Sequence, residues 1–94
     1  MNTGKVVYRV HALKRMFERG ISPADVVHVL AIGETVTDYP DDIPYPSRLL
    51  LGWSRGRPIH VVAADNPVDR ETIVITVYEP DPEVWDSSFT RRLS

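Results

Sequence analysis

Residues 47–78 constrain the fold more than any other part of the chain. Three runs, SRLLLGWS (47–54), PIHVVAAD (58–65) and TIVITVY (72–78), are rich in β-branched and aliphatic side chains. The RGR between the first two is short enough for a tight hairpin. NPVDRE, between the second and third, reads as a longer hairpin loop. Together they predict an antiparallel meander. Side chains alternate along a strand, and symmetric hairpins place residue 52 opposite 60 and 60 opposite 76. Leu49, Leu51, Trp53, Ile59, Val61, Ala63, Ile73, Ile75 and Val77 then share one wholly apolar face that needs a cover. The other face mixes Arg48, Leu50, Gly52, Ser54, His60, Val62, Ala64, Val74, Thr76 and Tyr78. His60, Thr76, Tyr78 and Gly52 gather towards one end of it. That corner reads as a ligand surface, with the glycine leaving room above the backbone.

The cover has to come from the N-terminal third. VHALKRMFER reads as a helix from Val10 to Arg19 that stops at Gly20. A second helix follows at once: Ser22 is a good N-cap, Pro23 suits the first helical position, and Asp25 complements the positive helix start. Val26, Val27 and Leu30 form its buried stripe, and Gly33 closes it. KVVYRV ahead of the first helix is a short strand or an extended lead. ETVTDY (34–39) alternates like a half-buried strand, and PDDIPYPS is a loop. The expectation is a single α+β domain over residues 1–94, a helical hairpin on an antiparallel sheet of about four strands. A polar tail (86–94) ends it, with Trp85 as anchor and Trp53 in the core.

At 94 residues the chain fits one core. It has no cysteine, so disulfides and thiolate metal sites are excluded. His11, His28 and His60 lie far apart, without a second ligand at metal-binding spacing, so no metal or other cofactor is expected. No apolar run is long enough to cross a bilayer, and a cytoplasmic location is expected. The net charge of −2 hides segregation. Lys5, Arg9, Lys14, Arg15 and Arg19 crowd the first twenty residues, Asp25, Glu34, Asp38, Asp41 and Asp42 the next stretch, and Arg48, Arg55 and Arg57 the one after. The overall balance counts against a nucleic-acid binder; the two basic segments soften that objection.

Within the first helix, His11, Arg15 and Arg19 recur every four residues and stack along one side, bordering an apolar stripe of Val10, Leu13 and Phe17. Two guanidinium forks below an imidazole can converge on one anionic group, phosphate above all. The plainer alternative is a solvated face paired to acids of the 34–42 segment. For His60 the plainer alternative is a half-buried ring satisfied by a backbone carbonyl, and for Tyr78 a sheet residue with a wetted hydroxyl. His28 reads as surface.

HALKRMFERGIS, DVVHVLAIGE, SRLLLGW, RPIHVV and IVITVYEPDPEVW, in that order, resemble a small bacterial family known as domain of unknown function 4258. That family is similar to RelE-like and BrnT-like toxins of toxin–antitoxin systems. The resemblance implies a RelE/barnase-like fold, metal-independent endoribonuclease activity on RNA, and an antitoxin partner, in many cases with a zinc-finger segment. It maps the family's polar positions onto His11, Arg15, Arg19, His60 and Tyr78. The resulting expectation is cleavage by 2′-hydroxyl attack, with His60 and His11 as the acid–base pair and Tyr78 as donor or stacking platform. Arg15, Arg19 and Arg48 would bind phosphate. The alternative is a non-catalytic, toxin-like module that binds a protein partner. The paired acid–base arrangement needs His11 and His60 in one pocket.

Overall fold

A computed structural model describes residues 5–93. The elements follow in the order β1 (Lys5–Tyr8), α1 (Val10–Arg19), α2 (Pro23–Ile32), β2 (Glu34–Tyr39), β3 (Ser47–Ser54), β4 (Arg57–Asn66) and β5 (Glu71–Tyr78). The fold is α+β, with two helices and one sheet. The sheet has five strands rather than four, in the order β1-β5-β4-β3-β2. The extra strand is KVVY, which pairs parallel with the start of β5, Lys5 beside Glu71 and Tyr8 beside Val74. Among the described residues, no helix is long and apolar enough to cross a membrane.

Local punctuation ends α1 and starts α2. Gly20 takes the left-handed conformation (φ 66°) that ends α1, and its N–H returns to the carbonyls of Met16 and Phe17. Ser22 and Asp25 form a reciprocal capping box at the start of α2. The ensuing core unites Ala12 and Met16 of α1, Val26 and Val29 of α2, and Leu50, Ile59, Val61, Ala63, Val74 and Val77 of the sheet.

The composition of that core overturns the expected strand parity. Ser54 pairs with Arg57, so the β3–β4 turn has only two residues, Arg55 and Gly56, both with positive φ (54° and 80°). A one-residue change in register turns every side chain over. Leu51, not Gly52, therefore lies opposite His60, and Leu50 and Gly52 join Ile59 and Val61 on the helix face. In the second hairpin His60 faces Tyr78 rather than Thr76. The register then shifts between Val62 and Ala63, leaving Ile75 as the extra residue and turning Val74 inward. Gly52 does leave room, but for α2: a Cβ there would stand 2.8 Å from a Val29 methyl carbon.

The α1 stripe also faces the other way from expectation. Small Ala12 and unbranched Met16 meet the sheet, while Val10 and Phe17 remain 82% and 90% exposed. Leu49 and Leu51, on the face turned away from the helices, are nevertheless buried. The segment after β5 is not a free polar tail. Trp85 is buried, pairs in a bridge with Arg92, and carries the Arg92 guanidinium over its ring. Asp86 Oδ1 accepts from the backbone N–H groups of Ser88, Thr90 and Arg91, which folds the chain into turns. Trp85 thus anchors the tail as expected, whereas Trp53 is half exposed and meets Phe89 edge-on.

Candidate functional site

The polar residues singled out in the sequence fall into three separate places. The first is α1. His11, Arg15 and Arg19 are all exposed along its flank. Among the described residues, the Arg15–Glu18 pair, at 3.9 Å and half exposed, is the only ion pair on this row. Its contribution is small. The acids of the 34–42 segment do not pair with it. His28 is exposed on α2.

The second place surrounds His60. Its side chain leaves β4 on the face opposite Ile59 and Val61, so it points away from the core that α1 and α2 cover. It has no exposed surface. Nε2 lies 2.8 Å from the carbonyl oxygen of Phe89, and Nδ1 lies 3.2 Å from the hydroxyl of Tyr78. A carbonyl can only accept, so Nε2 carries the proton and Nδ1 accepts from the tyrosine. Trp85 and Tyr78 meet the ring edge-on at centroid distances of 4.6 and 5.2 Å. Burial holds the imidazole below its ordinary pKa, opposed by the Phe89 carbonyl, and burial raises the Tyr78 hydroxyl. The neutral, doubly bonded ring is the carbonyl-satisfied histidine of the plainer reading, more deeply buried than expected. Its partners come from β5 and the tail, none from α1. His11 and His60 do not share a pocket here, and the paired acid–base arrangement is absent from this geometry.

The third place holds Arg48. It lies at the opposite end of the strands from the β3–β4 turn, with Nη1 2.6 Å from Asp65 Oδ2. Thr72 donates to the other oxygen of the same carboxylate. These three side chains line a groove of about 530 Å³, walled by Val6, Val27 and Leu30. Arg48 is therefore neutralised by Asp65 and does not join the α1 row.

Two further arginines carry structural weight not expected from the sequence, and Asp25 does more than complement its helix start. Buried Asp25 accepts from the Ser54 hydroxyl at 2.6 Å, the Ser22 N–H at 2.9 Å and Arg55 Nη2 at 2.8 Å. These bonds, Ser54's foremost, hold its carboxyl far below the usual carboxylate range. Arg57 donates to the carbonyls of Arg19 and Gly20, closing the C-terminal end of α1, and to Glu79. The hairpin tip thus clamps the turn between the two helices. The available signal was an arginine on each side of a turn glycine, placed close to two helix ends.

The family described as Domain of unknown function (DUF4258) matches residues 8–79. No curated protein and no solved structure matches the chain.

Proposed function

The chain belongs to the DUF4258 family, and from that premise we propose that it is a metal-independent RNA endonuclease similar to the RelE-like and BrnT-like toxins, with α1 as its RNA-contacting surface. One observation carries the reading: the exposed row of His11, Arg15 and Arg19, answered among the described residues only by the loose Arg15–Glu18 contact. The cleavage chemistry asks little of a protein. The 2′-hydroxyl attacks the neighbouring phosphorus, the bond to the leaving 5′-oxygen breaks, and a 2′,3′-cyclic phosphate remains. Arg15 and Arg19 supply paired donors for the phosphoryl oxygens as charge builds on them. His11, one turn before Arg15 on the same helix, serves one proton transfer. The other transfer falls to solvent. A missing partner of this kind lowers a rate by roughly 10²–10⁴, so slow turnover is expected. His60 and Tyr78 support the fold beneath the tail in this assignment, and Arg48 serves its ion pair.

The test is cleavage of end-labelled single-stranded RNA in the presence of a chelator. Cutting should persist without metal, stop at 2′-deoxy linkages, and fall by at least ~10²-fold in His11→Ala and Arg15→Ala. A folded His60→Gln variant should still cut. Cleavage unaffected by His11→Ala and Arg15→Ala would remove α1 from the reaction.

A second reading, a non-catalytic module that binds a protein such as an antitoxin, is favoured by the sealed state of His60. RNA that binds without being cut, or fails to bind at low salt, would select it.

A further inference from the structure

The exposed apolar stripe of α1 is not used by the RNA reading. Val10, Leu13 and Phe17 follow one another at spacings of three and four, which sets them on one side of a helix. They are 82%, 48% and 90% exposed. Ile43 and Val68 are as exposed, but each is a single residue in a loop. Isolated apolar side chains on a surface are ordinary, whereas a row on a rigid element marks a contact.

The surroundings specify what would cover it. Arg9 precedes the stripe, Lys14 lies between Leu13 and Phe17 in sequence, and Arg15 and Arg19 follow the far side of the helix. Glu18 is the sole acid on α1. A second α1 laid against this one would bring like charges together. Bases could stack on Phe17, but aliphatic Val10 and Leu13 offer nucleic acid little, whereas they fit the apolar side of a helix.

We propose that the Val10–Leu13–Phe17 stripe of α1 is the docking surface for an acidic amphipathic helix of a partner protein, whose apolar side chains cover the stripe and whose carboxylates meet Arg9 and Lys14. The surface stands whether or not the His11–Arg15–Arg19 row cuts RNA.

The probes are three synthetic helices of about 20 residues: one with a leucine stripe flanked by glutamates, the same stripe flanked by lysines, and the glutamate helix with its leucines replaced by glutamine. Binding is followed by anisotropy and by backbone amide shifts of the labelled protein. The leucine–glutamate helix should bind with a Kd of roughly 100 μM or below, shifting α1 amides and weakening as salt rises. The other two should bind at least ~10-fold more weakly, and Leu13→Ser with Phe17→Ser should weaken the first by a similar factor. The double variant replaces exposed side chains and should retain the wild-type spectrum outside α1 and the wild-type rate of RNA cleavage. Equal binding of the lysine helix, shifts confined to other elements, or no binding of the leucine–glutamate helix would overturn the proposal. So would loss of RNA binding in the double variant, which would give the stripe to RNA. Loss of cleavage in His11→Ala leaves this outcome untouched, so the two readings fail separately.

Discussion

At the scale of single residues, the groups that look most reactive in the sequence are held by the fold. His60 is the clearest case. The folded chain keeps its imidazole neutral below the ordinary value of 6.5, chiefly because a charged ring would lose its hydration. The unfolded chain takes up a proton near 6.5 that the folded chain refuses. Stability from this source is complete above that value and is lost as pH falls through it towards the folded pKa. Melting temperature should accordingly drop between about pH 7 and pH 5, and His60→Gln should flatten that decline. An equal slope in the variant would show that His60 does not govern it. Asp25 follows the same sign in a lower window: its folded pKa is depressed, so its contribution is lost only as pH falls below the usual 3.8. Its partners can be ranked by exposure. Arg55 is 69% exposed, so Arg55→Ala should cost under ~1 kcal/mol. Ser54→Ala leaves a buried carboxylate oxygen without its hydroxyl and should cost about 1–3 kcal/mol by urea unfolding.

At the scale of elements, local punctuation was legible and long-range placement was not. Gly20, the Ser22–Asp25 capping box and Gly33 mark both helices because each acts within a turn of its own position. The three meander strands were legible for the same reason. Their faces were not, since the hairpin register depends on Arg55 accepting a positive φ, a conformation usually left to Asn or Gly. Strand β1 stayed open between a strand and an extended lead because its partner is more than sixty residues away and parallel. Of the candidate site, the exposed α1 row was legible as a spacing, and so was the placing of His60 on the sheet face away from the helical cover. The tail was the other loss: its polar composition hides two buried contacts, Trp85 and the Phe89 carbonyl, against one histidine. Those contacts predict unequal roles for the two tryptophans. Trp85→Ala should remove about 3–5 kcal/mol and lower the melting temperature by more than ~10 °C. Trp53, half exposed with one edge-on aromatic neighbour, should cost about 1 kcal/mol on the same change. Similar losses from both would mean that the tail does not seal that face.

At the scale of the whole molecule, charge segregation sets what the surface can meet. The chain is acidic overall, with a pI near 5.8, so a polyanion approaches against the mean field and must find a local patch. The cations of the β3–β4 hairpin are not available for this, because Arg55 and Arg57 are bonded to Asp25, Glu79 and the end of α1. Arg48 is bonded to Asp65. Arg9, Arg91 and Arg92 are also exposed, but α1 gathers Lys14, Arg15 and Arg19 on one short element, with the loose Arg15–Glu18 contact as their one ion pair among the described residues. Counterion release makes this countable: each phosphate neutralised on a single strand contributes about −0.7 to the slope of log affinity against log salt. Three such contacts give a slope near −2, and Arg15→Ala or Arg19→Ala should each reduce it by about 0.7. Arg48→Ala should leave the slope unchanged, since that guanidinium already has its anion. Titration of a single-stranded RNA at several salt concentrations, with the three variants side by side, measures this. A slope that responds to Arg48 rather than to Arg15 and Arg19 would move the phosphate surface from the first helix to the groove beside Asp65.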